Sequence, residues 1–156
     1  MESSANQIFV SEINKVKADL IAKHEALGMR SSGKWIENLQ ALLDVTESNL
    51  KAVFRDMAYT EQLVQGREPG KFPPRNDIKQ WIIDKPITPT DNISIDSLAF
   101  LIARKIANEG TDYYQQGGTE LIESVITPER IKKIADKVGV SLLSTFELEV
   151  NELLIR

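Results

Sequence analysis

A chain of 156 residues, 42% hydrophobic and 27% charged, has room for one domain with a real core and too little for two ordinary ones. A formal net charge of −4 excludes a global basic footprint for nucleic acid or an anionic membrane. The lack of cysteine excludes disulfides, zinc–thiolate centres and thiol nucleophiles, and fits an intracellular site of synthesis. No apolar run approaches the roughly 18 residues that span a bilayer, and Met1 to Asn6 lack the basic-then-apolar order of a secretory signal.

The first predicted element is a helix from about Ala5 to Leu27, with Ser4 and Gln7 at capping-box spacing. Ile13, Val16, Leu20, Ile21, His24 and Leu27 mark one face, and Gly28 is placed to end the helix in the left-handed conformation. His24, the sole histidine, reads as a packed or solvated side chain. Ser31-Ser32-Gly33 is a loop. From Lys34 to Val45 the apolar spacing fits both a helix and a strand; it is read here as a strand. Glu47-Ser48-Asn49 then makes a turn into Leu50 to Arg55, closing an antiparallel hairpin. Ala58 to Gln65 leads into Gly66.

The segment from Gly66 to Trp81 is the most punctuated in the chain. Pro69-Gly70 suits the centre of a type II turn, where Pro fixes φ and Gly accepts a positive one. Pro73-Pro74 stiffens the chain into a polyproline-like strut. Asn76 is read as the N-cap of a short helix carrying Ile78, Trp81 and Ile82, which stops before Pro86. After a loop with Pro89 and Asp91-Asn92, Ser94 or Asp96 caps a helix ending near Glu109, with Gly110 as its stop. Leu98, Leu101, Ile102 and Ile106 form one stripe of that helix, which is read as a core helix. Ala99, Ala103 and Ala107 form a small-residue stripe beside it at spacings of four, which lets another backbone approach closely.

Thr111 to Thr119, with Tyr113 and Tyr114, reads as a loop that is mobile or ordered by a partner. Leu121 to Ile126 is a short apolar run. Thr127-Pro128 opens a helix burying Ile131, Ile134, Ala135 and Val138, and Gly139 closes it. Phe146, Leu148 and Val150 alternate with Glu147, Glu149 and Asn151 as a terminal strand. The fold expected is α+β: a long N-terminal helix and a small antiparallel β-sheet packed against helices. The expected organisation is a single domain over 1–156, with the N-terminal helix in 1–30, a middle part in 31–111, and a C-terminal loop, helix and strand in 112–156.

No catalytic constellation emerges. One histidine and no cysteine leave few nucleophile–base pairs. Gly66, Gly70 and Lys71 lack the glycine spacing and the Ser/Thr of a phosphate-binding loop, and no loop has the spacing of a calcium site. The expectation is therefore no enzyme, no cofactor and no metal. Arg67, Lys71, Arg75 and Lys79 give a local basic cluster, but the Lys85–Ser94 connection is longer than the turn of a helix-turn-helix.

From Ser32 to Thr111 the order of motifs carries a resemblance: Gly66-Arg67-x-Pro69-Gly70, Phe72-Pro73-Pro74, Ile78-x-x-Trp81-Ile82-x-x-Lys85, and Leu98-Ala99-Phe100-x-Ile102-Ala103-Arg104-Lys105-Ile106-Ala107-x-Glu109-Gly110-Thr111. It resembles the neck and tail-completion proteins of tailed bacteriophages, the head–tail joining and tail terminator-like proteins. It departs from them at Pro86, where they have glycine, and in a longer segment beyond Tyr113. The resemblance implies a non-catalytic virion protein, made in the host cytoplasm and forming a homo-oligomeric ring at the head–tail junction or tail end. Its implied partners are copies of itself and other neck, tail or portal-proximal proteins, with passive contact to DNA in the channel and no membrane. The candidate inter-subunit residues are Arg67, Glu68, Pro69, Gly70, Lys71, Phe72, Arg75, Tyr113 and Tyr114. Arg67, Lys71 and Arg75 are expected to meet acidic surface near Glu147, Glu149 and Glu152. Two other readings stand beside this one: a small DNA-binding regulator using the basic central segment, and an enzyme with carboxylate chemistry.

Overall fold

The computed structural model describes residues 4–46, 49–56, 59–139 and, as backbone, 145–150. Glu47-Ser48 of the expected turn, Ala58, the Ser4 side chain, Asn151 and Glu152 lie outside the described residues. Helix α1 (Ser4–Ala26) is the longest element. Phe9, Ile13, Val16, Leu20 and His24 recur at spacings of three and four and are all buried, so one stripe of α1 faces the core. Gly28 takes φ +67°, and the Gly28 and Met29 amides close the helix end on the Glu25 and His24 carbonyls at 2.9 and 3.1 Å.

The 34–45 stretch is not one strand. Lys34–Asn38 is a helical turn, α2, and only Gln40–Val45 is strand β1. Trp35 and Leu39 satisfy the helical period: both are buried, and the Leu39 amide donates to the Trp35 carbonyl at 3.0 Å. β1 pairs antiparallel with β2 (Asn49–Arg55), Leu42 opposite Val53, which gives the expected hairpin. Leu50, Ala52 and Phe54 of β2 alternate inward. β3 (Thr145–Val150) lies on the other side of β2 and runs parallel to it, Leu50 opposite Phe146. A hairpin must be antiparallel, whereas a connection through five helices leaves the direction open. The α+β architecture with a long N-terminal helix is the one expected.

The rest is helical: α3 (Thr60–Gln65), α4 (Arg75–Asp84), α5 (Ile95–Glu109), α6 (Asp112–Gln115) and α7 (Pro128–Val138). α7 begins with the Thr127 side chain accepting the Arg130 amide at 3.1 Å, has Pro128 in its first turn and ends at Gly139 with φ +74°. Ile134 and Val138 bury against α1, joining Leu121, Ile122 and Val125 in the main core; Ile131 and Ala135 are half-buried. Lys137 to Glu12 (3.1 Å) and Arg130 to Asp19 (2.6 Å) tie α7 to α1 along its solvent edge.

α4 and α5 form a helical hairpin beside that core. Its buried residues, Ile82, Ala99, Ala103 and Ala107, lie outside the main cluster. One expectation changes here and one is sharpened. Asn76 is not a cap: Pro74 holds that position with φ −57°, its carbonyl accepts the Asp77 and Ile78 amides, and Asn76 sits exposed in the first turn. The buried side of α5 is the alanine stripe, since a methyl lets α4 approach closely. Leu98, Ile102 and Ile106 are half-buried, and Leu101 is 49% exposed.

Candidate protein-docking surface

The 67–75 segment forms a strap laid antiparallel along α5. It starts at Gly66, which ends α3 with φ +77°. There the Arg67 amide donates to Thr111 Oγ1 at 2.8 Å, and the Thr111 amide donates back to the Arg67 carbonyl at 2.9 Å. Thr111 also caps α6, accepting from the Tyr114 amide. One turn back along α5, the Gly70 amide donates to the Ala107 carbonyl at 2.8 Å. That carbonyl belongs to the last turn of the helix, where no amide inside the helix can reach it. Gly70 has the positive φ that a Pro-Gly turn requires, at +128°.

Beyond the turn the strap reaches the middle and then the start of α5. Pro73 is buried and anchors it. Phe72 is 56% exposed and stacks on Phe100, itself 42% exposed, with centroids 6.2 Å apart and planes at 25°. The Arg75 guanidinium lies 5.5 Å from the Phe100 centroid. It also pairs with the Asp96 carboxylate and donates to the Asp96 carbonyl at 3.1 Å, while Lys79 stands 3.4 Å from the same carboxylate. Asp96 therefore does not cap α5. Ser94 does, its side chain accepting the Ser97 amide at 3.0 Å, and Asp96 holds the two cations of α4 instead. These pairs are half exposed and contribute little to stability, so their role is to orient.

Of the residues expected at an interface, the structure brings Arg67, Pro69, Gly70, Phe72, Arg75 and Tyr114 onto one surface around α5 and Gly110. Glu68 and Lys71 are exposed on the same strap, and Tyr114 is 43% exposed. Tyr113 departs from the group. It is half-buried against the main core, and burial, helped by Asp112, raises its phenol pKa. The 111–119 segment is also tied down more than a loop. Besides the Thr111 clamp, the Thr119 amide donates to the Val64 carbonyl at 2.6 Å and its hydroxyl to the Leu63 carbonyl at 2.7 Å. Arg75 meets Asp96 of its own chain; the side chains of Glu147, Glu149 and Glu152 lie outside the described residues. The sequence reading missed Phe100 as a surface residue and Asp96 as an ion-pair partner. Their spacing of four on one helix was the available signal.

Among the described residues no group of three or more His, Asp or Glu is placed to hold a metal ion, and no helix is long and apolar enough to cross a membrane. A shallow concavity on α1, lined by Gln7, Val10, Ser11, Asn14, Lys15 and Ala18, contains one ionisable side chain, Lys15. His24 is 2% exposed and stacked on Trp35 with centroids 4.4 Å apart. What the strap offers is an ordered, aromatic, cation-bearing surface. Comparison with protein-family models, curated proteins and solved structures finds no match to this chain.

Proposed function

We propose that this chain is a non-catalytic structural subunit that assembles with copies of itself into a ring, at the head–tail junction or tail end of a phage particle. The motif order carried by the strap and α5 supplies the phage assignment. One observation supports assembly above all: the strap is held by backbone hydrogen bonds at Arg67 and Gly70 and by the Arg75 side chain at its far end, while Phe72, Phe100 and Tyr114 stay partly open to solvent. A loop already ordered before docking loses little conformational entropy on binding, and exposed aromatics beside arginine suit a protein interface. Neighbouring neck, tail or portal-proximal proteins are the further partners of such a ring.

Native mass spectrometry and negative-stain imaging of the purified chain test this. The expected result is a discrete, closed oligomer that persists at high salt. A chain that stays monomeric at every concentration, yet shifts duplex DNA with an affinity that falls steeply with salt, supports the DNA-binding regulator instead.

A further inference from the structure

Among the described residues His24 is the only buried titratable side chain, and its Nδ1 is the only buried side-chain polar atom without a hydrogen-bond partner. The ring lies in the last turn of α1, stacked flat on Trp35 with planes 8° apart. Trp35 cannot follow the ring if it moves, because its Nε1 donates to Thr60 Oγ1 at 2.7 Å in the interior. The same turn closes α1: the His24 carbonyl accepts the Met29 amide, and the Glu25 carbonyl accepts that of Gly28. The Gly28 carbonyl in turn accepts a hydrogen bond from the ammonium of Lys85, the residue that ends α4. The ends of α1 and α4 therefore meet at a seam, with the imidazole behind it. The seam joins the main core to a hairpin that buries a separate set of residues, Ile82, Ala99, Ala103 and Ala107.

A neutral ring suits this place and a charged one does not. An imidazolium carries N–H at both nitrogens, so Nδ1–H would be buried without an acceptor. The charges around the ring are Glu25 on α1, Arg30 in the loop after it and Lys85 at the end of α4. Glu25 favours a proton on the ring, as does the C-terminal end of a helix, but Glu25 is already paired with Arg30 at 2.9 Å. Burial and the two cations outweigh that pull, so the folded ring gives up its proton more readily than a solvated one. Fraying one terminal helix turn costs far less than unfolding a core. We infer that His24 is an acid-operated latch: a proton on its ring swings the last turn of α1 into solvent, breaks the Lys85–Gly28 bond and frees the end of the hairpin where α4 turns into α5. The opening is local. Ile13, Val16 and Leu20 keep the rest of α1 in the main core. The Thr111–Arg67 clamp and the Gly70–Ala107 bond hold the other end of the hairpin, which becomes the hinge. The latch does not depend on whether the chain assembles.

Amide hydrogen exchange of the intact chain, read by NMR at about pH 7.5 and about pH 5.5 and corrected for the intrinsic rate, tests this. The protection of the Gly28, Met29 and Lys85 amides, each hydrogen-bonded at the seam, is expected to fall several-fold at the lower pH, while the amides of α7 keep theirs. His24→Phe retains an aromatic ring against Trp35 but has nothing to protonate, and is expected to protect the seam equally at both values. Should that substitution weaken the fold, the unaltered chain still decides: the His24 ring signals must titrate with the same midpoint as the loss of protection at Gly28 and Lys85. Four results overturn the latch. They are an equal pH-dependent loss in His24→Phe, an equal loss in α7, a ring that titrates while the seam stays protected, and a seam that stays protected down to the pH at which the whole chain unfolds.

Discussion

At Gly66 a Cβ would lie 2.1 Å from the Tyr114 nitrogen and 2.6 Å from its Cα, on a backbone already at φ +77°. Both neighbours are main-chain atoms and cannot rotate aside. Gly66→Ala is therefore expected to cost about 3 kcal/mol or more, read as a shift in the urea midpoint. Gly28 makes the control: its φ is +67°, but nothing lies within 4 Å of a built Cβ, so alanine there costs about 1 kcal/mol. Equal costs at the two sites would mean that α6 does not press on Gly66. His24 gives the other residue-scale prediction. Its Nδ1 is buried with no hydrogen-bond partner among the described residues. Burial lowers its pKa, and Lys85 and Arg30 lower it further against the opposing pull of Glu25. The folded chain thus resists a proton that the unfolded chain accepts near pH 6.5. Stability from this site is full above that value, declines as pH falls through the interval between the unfolded and folded pKa, and levels off below the folded one. The urea midpoint should drop between pH 7.5 and 5.5, and drop less in His24→Phe, which keeps the stacking on Trp35. An equal drop in both chains would clear His24 of the effect.

At the scale of elements, the helix ends separate what the chain spells locally from what its neighbours decide. Ser94 and Thr127 each accept an amide from the third residue beyond. Ser94→Ala and Thr127→Ala should each cost about 1 kcal/mol in thermal melts. Asn76→Ala should change stability by less than about 0.5 kcal/mol, because the cap of α4 lies two residues earlier, at Pro74, and the Asn76 side chain caps nothing. A loss at Asn76 matching that at Ser94 would contradict this start of α4. The Thr111–Arg67 clamp works differently. Two residues 44 positions apart exchange hydrogen bonds, so the end of α5, the start of α6 and the strap hold one another in place.

Over the whole molecule, the main core and the α4–α5 hairpin bury different sets of residues. The core runs from α1 through β2 to α7. The hairpin buries small alanines and Ile82, and so leaves its larger aliphatic and aromatic side chains partly open. Burying a Leu, Ile or Phe side chain fully is worth about 1.5–3 kcal/mol, so the partly exposed Phe72, Trp81, Ile83, Ile95, Phe100 and Leu101 of the strap and hairpin would gain from being covered. The α4–α5 hairpin thus presents apolar surface of a kind that the main core does not.

The sequence by itself determined the features that depend on a few neighbouring residues. The apolar stripe of α1, the glycine stops at 28, 110 and 139, the Thr127-Pro128 helix start and the β1–β2 hairpin all follow from spacing or from φ preferences. Where one stretch satisfied two periods, as Trp35 to Val45 does, only packing chose: Trp35 and Leu39 bury as a helical turn, and the strand starts after them. Tertiary structure alone decided that β3 runs parallel to β2, that alanines and not leucines form the buried side of α5, and that Asp96 serves Arg75 instead of capping its own helix. Local preferences act through adjacent dihedrals and are written in the order of residues. These later choices depend on which distant surfaces approach closely enough to exclude water.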